Sequence, residues 1–81
     1  MSYSYQAAKV LARLPKPLAN RIYEKMDQYA AAPQSLRNNV KRLQGLNDIL
    51  RMRVGDWRVI FTEDGSVVSV LKVAPRGGAY E

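Results

Sequence analysis

ILRMRVGDWRVIFTEDGSVVSVLKV, residues 49–73, is the stretch on which the fold turns. β-branched and aromatic residues alternate with polar ones and are broken twice, by GD at 55–56 and DG at 64–65. This predicts three antiparallel strands over about 49–54, 57–63 and 67–73. Gly55 stands at the first central position of a two-residue hairpin loop, and Asp64-Gly65 suits a type I′ turn. Loops of that length fix register. Across the first loop, Val54 is expected to face Trp57, Arg53 to face Arg58, Met52 to face Val59 and Arg51 to face Ile60. Across the second, Phe61 faces Val68, Val59 faces Val70 and Arg58 faces Leu71.

Alternation then sorts the side chains onto two faces. Leu50, Met52, Val54, Trp57, Val59 and Phe61 share one with Val68 and Val70. Arg51, Arg53 and Arg58 share the other with Ile60, Ser69 and Leu71. Arg53 and Arg58 thus become direct cross-strand neighbours of like charge, which costs a few tenths of a kcal/mol on the ~0.2 to 1 scale of such pairs. Folding gains nothing from that placement, whereas an anionic ligand does, because guanidinium forks match phosphate geometry. The alternative is that both side chains splay into water or pair with Asp56 and Glu63.

Working outward, Ala7, Val10, Leu11 and Leu14 recur at the spacing of one helical face. Ser4 stands as N-cap and Pro15 ends the helix. A second helix opens at Pro17, with Leu18, Ile22, Met26 and Tyr29 as its apolar stripe and Ala19, Tyr23 and Ala30 widening it. Pro33 closes it. The short link LPKP at 14–17 makes the two an antiparallel helical hairpin. MSYS at 1–4 reads as the stub of an edge strand. Residues 34–48 read as a polar connection pegged by Leu36, Val40, Leu43 and Leu46, with a turn at Gly45. Lys41 and Arg42 within it read first as solvated loop and second as phosphate contacts. After the last strand, Arg76 is expected at the arginine end of the sheet. Gly77 and Gly78 let the chain fold back, so that Tyr80 either stacks on a base or exchanges a proton there, or simply covers Ile60 and Leu71.

The totals agree with one small domain over 1–81. A hydrophobic share of 47% argues for a folded core, with a margin of stability of roughly 3 to 5 kcal/mol at this size. Thirteen Lys and Arg against seven Asp and Glu leave a net charge of +6, which favours an acidic partner, most often nucleic acid. Cysteine and histidine are both absent. That removes disulfides, the thiolate nucleophile, the usual zinc ligands and the usual general base. No apolar run approaches the ~18 residues of a membrane span, and no signal-peptide pattern opens the chain. A cytoplasmic protein is the expectation.

A helical hairpin, then LQG at 43–45, then LRMRVGDWRVIF at 50–61, then VVSVLKVAPRGGAY at 67–80 resembles the RelE/ParE superfamily of bacterial type II toxins over nearly the whole chain. The resemblance implies an α+β fold, with the helical hairpin packed on one face of a twisted antiparallel sheet of three to four strands. It also implies one of two activities. RelE-like members are ribosome-dependent endoribonucleases; ParE-like members poison DNA gyrase without nuclease activity. Arg51 and Arg53 fall on the basic strand positions of the nuclease branch, Arg58 on the arginine after the aromatic of the turn, Arg76 on the arginine after the last strand and Tyr80 on the terminal tyrosine. That set favours the RelE-like branch.

The implied catalytic residues are Arg53, Arg58, Arg76 and Tyr80, and the implied RNA-binding residues are Lys41, Arg42 and Arg51. The reaction would need neither metal nor cofactor. Its partners would be a cognate antitoxin, the ribosome and mRNA, or gyrase on the other branch, with no membrane involved. Three departures stand out. The strand cations are arginine where lysine is frequent in the nuclease branch, the first strand is short, and PRGG at 75–78 replaces a more basic run.

Overall fold

The helical hairpin forms where the apolar spacing places it. The computed structural model describes residues 1–42, 49–65 and 67–75, with α1 at Tyr5–Arg13 and α2 at Lys16–Ala31. Ser4 caps α1: its hydroxyl accepts from the Ala7 N–H at 3.1 Å and donates to the Leu71 carbonyl at 2.6 Å. One side chain therefore satisfies an orphan donor of the helix and ties that helix to the last strand. Replacing Ser4 by alanine should cost about 1 kcal/mol, read as a fall in melting temperature of about 4–8 °C; an unchanged melting curve would contradict the cap's role.

β1 (Ser2–Tyr3), β2 (Val40–Arg42), β3 (Ile49–Val54), β4 (Trp57–Asp64) and β5 (Val67–Pro75) form one sheet in the order β1-β5-β4-β3-β2. β1 runs parallel to β5 and the remaining pairs are antiparallel. The described sheet is thus mixed and five-stranded, not an antiparallel one of three or four strands. The addition is β2, which lies within the segment expected as a polar connection and is led in by a 3₁₀ helix at Pro33–Asn39. Val40 pairs with Met52, Lys41 with Arg51 and Arg42 with Leu50. An uncovered β3 edge would leave a row of backbone groups without partners, and this short strand meets them. Leu36 of the 3₁₀ helix is buried as expected; Leu43, Gly45 and Leu46 lie outside the described residues.

The first hairpin has the register set by its two-residue loop, Val54 opposite Trp57 and Arg53 opposite Arg58. Gly55 has φ +59°, the left-handed backbone that the turn requires. The second hairpin differs. Asp64 pairs with Val67, so β4 runs one residue further and Phe61 meets Val70 instead of Val68. A register shift between Ile60 and Phe61 then places Val59 opposite Val73 and Arg58 opposite Ala74, rather than Val70 and Leu71. A bulge of this kind gives one strand an extra residue and changes which residues share a face beyond it. Lys72 consequently joins the arginine face opposite Ile60, and Val73 turns into the core.

The helices cover the other face. Ile22 and Met26 of α2 meet Met52, Val59, Phe61 and Val70 in the fully buried centre. Tyr29 packs edge-on against Phe61, ring centroids 5.0 Å apart, and donates its hydroxyl to Glu63 Oε1 at 2.9 Å. Burial first, then the hydrogen bond to and charge of Glu63, raise its phenol from 10.0 to about 12, with Arg42 opposing. Tyr3, stacked edge-on against Tyr23, is raised to about 12 by burial and by the charges of Asp27 and Tyr23. Between pH 10 and 12 the unfolded chain has released protons that the folded chain still holds. The stability these phenols contribute is therefore complete below pH 10 and is lost as pH rises through 12. Denaturant midpoints measured across this window should fall with pH, and less steeply in Tyr29→Phe; identical slopes would exclude Tyr29 as a source.

Candidate nucleic-acid interface

The face turned away from the helices carries two rows of residues set by strand register. One row crosses four strands as Lys41, Arg51, Ile60 and Lys72; the next crosses three as Arg53, Arg58 and Ala74. Arg51 and Arg53 are two residues apart on β3, hence on the same face and roughly 7 Å apart along the strand. Arg42 does not join them. It pairs with Leu50, which puts it on the helix side, where its charge acts on Tyr29. Lys41 and Arg42, adjacent in sequence, thus serve opposite faces.

Two adjoining cavities open among these cations. Asn38, Asn39, Lys41, Arg51 and Arg53 line one of about 190 Å³. Arg53, Gly55, Asp56 and Arg58 line the other, of about 200 Å³. Arg53 is the wall they share. Asp56 supplies the only carboxylate among these lining residues. Glu63, the other acid considered as a neutralising partner, accepts the Tyr29 hydroxyl on the far side of the sheet.

The two facing arginines have different environments. Arg53 is exposed, whereas Arg58 is only 4% exposed and donates from Nη1 to the Trp57 carbonyl at 3.4 Å. Alternation predicts the face of Arg58 but not its burial. A guanidinium withdrawn from water acts on an anion through a lower effective dielectric than a surface cation does. An exposed arginine beside it meets the anion first. The pair can therefore grip and polarise a phosphate. The pair offers hydrogen-bond donors and no acceptor, so it holds charge and does not take up a proton. Arg76 and Tyr80, the expected fourth cation and proton-transfer group, lie outside the described residues.

Residues 2–80 match the family model described as ParE toxin of type II toxin–antitoxin system, parDE. The chain belongs to this toxin family. No curated protein gives a significant match. Among solved structures, the toxin is similar to a chain of the archaeal RelE–RelB complex from Pyrococcus horikoshii, with 34% identity, a TM-score of 0.79, and 96% of this chain and 94% of that one covered. It is similar in fold to a chain of the RelB–RelE antitoxin–toxin complex from Methanococcus jannaschii, at 18% identity, TM-score 0.77 and coverage of 95% and 92%. The same holds for a doubly arginine-substituted E. coli toxin RelE with an antitoxin RelBc peptide, at 18% identity, TM-score 0.75 and coverage of 96% and 82%. The resemblance read from the sequence is thus met at the level of family and fold: this is a type II toxin with RelE structural neighbours.

Sequence reasoning places Arg51, Arg53 and Arg58 on one face and leaves Lys41 undecided between loop and contact. It misses Lys72, Asn38 and Asn39. The signal for Lys72 is present in VVSVLKV, where strict alternation from Val68 and Val70 would send a lysine into the core and Val73 out of it. Asn38 and Asn39 carry no periodic signal, because they reach the face only through the 3₁₀ helix that precedes β2.

Proposed function

We propose that the toxin is a ribosome-dependent mRNA endoribonuclease. The observation that carries this reading is the Arg53–Arg58 pair, set at opposing register positions around a cavity, with Lys41 and Arg51 beside it. Its similarity, at 34% identity, to a chain of a RelE–RelB complex supports the same branch. In the reaction, the ribose 2′-oxygen attacks the adjacent phosphorus and loses its proton. The bond from phosphorus to the 5′-oxygen breaks, and that oxygen takes up a proton. The products are a 2′,3′-cyclic phosphate and a 5′-hydroxyl, with no metal required. Arg53 and Arg58, joined by Arg76, stabilise the charge on the phosphorane. Tyr80 is the proton-transfer group, and Lys41 and Arg51 hold the flanking backbone; Arg42, on the sheet's far side, takes no part in it.

With no histidine in the chain, the toxin has no side chain naturally poised for proton transfer near neutral pH. The ribosome therefore supplies orientation of the 2′-OH, an effect worth up to roughly 7 to 11 kcal/mol, and free RNA is a poor substrate. A cognate antitoxin is the natural partner, since the solved relatives include complexes with RelB antitoxins. Among the described residues no helix is long and apolar enough to cross a membrane, and the toxin acts in the cytoplasm, where ribosomes are.

A second reading, a gyrase poison without nuclease activity, is favoured by the family model itself, which bears the ParE description. Induced expression without the antitoxin separates the two. The nuclease reading expects growth arrest with codon-phased 5′ ends on translated mRNA. Intact mRNA with accumulated gyrase–DNA cleavage complexes would replace it by the second reading.

A further inference from the structure

The cavity beside the proposed phosphate site has two asparagines in its lining, a residue type that a backbone-gripping surface does not need. Asn38 and Asn39 stand with Lys41, Arg51 and Arg53 around a space of about 190 Å³, which Arg53 separates from the Arg53–Arg58 cavity. Asparagine is common at helix ends because it bonds to nearby backbone. Here other groups do that work. The 3₁₀ helix is closed by the Val40 N–H on the Arg37 carbonyl, and its start is held by Ser35, whose hydroxyl donates to the Ala32 carbonyl at 2.7 Å and accepts from Gln28 Nε2 at 3.1 Å. Both asparagines are exposed.

An amide carries both a donor and an acceptor, and so can distinguish the edges of one base from another, which lysine and arginine at a phosphate cannot do. The adjoining cations fix where the backbone passes. We infer that Asn38 and Asn39 form a nucleobase-reading pocket that selects the nucleotide beside the cleaved phosphate. A single-stranded segment laid across β3 with its phosphate between Arg53 and Arg58 has the neighbouring base at the asparagine cavity. Arg51 and Lys41 meet the next stretch of its backbone. Unstacked bases of single-stranded RNA are read in this manner, by hydrogen bonds to their edges.

This inference rests on the RNA reading of the same face, and two readouts keep their failures apart. The first is the cut-site distribution on translated mRNA for the wild type and for Asn38→Ala/Asn39→Ala. The expected result is a fall of about 5- to 150-fold in preference for the favoured base at one position, the range of one bidentate amide contact. An unchanged preference overturns the inference. The second needs no ribosome. Four 2′-O-methyl RNA trinucleotides differing only in the central base are titrated into the isolated toxin, with the side-chain amide resonances followed by NMR. Base-dependent affinity that is levelled in the double variant supports the pocket, even if the wild type leaves mRNA intact and the nuclease reading falls. Equal affinity for all four, or resonances of Asn38 and Asn39 that do not move, overturns it.

Discussion

Replacing Arg58 by alanine is expected to slow mRNA cutting by about 10²- to 10³-fold, the usual loss when one preorganised charge donor is withdrawn from a developing oxyanion. Arg58 is the cation with the most to lose, being 4% exposed and aligned with Arg53 across the β3–β4 ladder. Because the side chain is buried, the denaturation midpoint of the variant should be measured alongside its activity. Arg58→Lys supplies the decisive comparison. It keeps the charge but gives up the planar fork, and should fall between wild type and alanine. Full activity in a folded Arg58→Ala toxin would remove this residue from the chemistry.

The largest expected effect on stability is at Phe61, fully buried between the helices and the sheet and in edge contact with Tyr29. Truncation to alanine should cost about 3–5 kcal/mol through lost transfer energy and the cavity left behind. That is on the order of the whole margin of a domain this small, roughly 3 to 5 kcal/mol. Phe61→Ala should therefore show no folded baseline in urea, and its expression should not arrest growth. A midpoint near that of wild type would mean that the core is rebuilt around the gap.

The first hairpin was legible because nothing intervenes between its loop and its ladder: Gly55 and Asp56 leave one register, and Arg53 must then face Arg58. The second was legible only near its turn. The shift at Ile60 and Phe61 is a local departure from alternation, and it moves every partner beyond it. β2 escaped because three residues, two of them cationic, are too few to display a period; the strand exists because β3 offers an edge. The same cause divided the candidate site. Arg51, Arg53 and Arg58 sit in regular strand and could be assigned a face. Lys72 reached that face through the bulge, and Asn38 and Asn39 through a 3₁₀ helix with no repeating pattern. The burial of Arg58 is a tertiary property, for which a cation at an outward-facing position gives no warning.

The most direct test is single-turnover incubation of purified toxin with mRNA-programmed ribosomes, followed by chemical analysis of the RNA ends. The account predicts fragments ending in a 2′,3′-cyclic phosphate and a 5′-hydroxyl, cut at a fixed phase within the codon. Programmed mRNA that stays whole at toxin doses sufficient to arrest growth would contradict it.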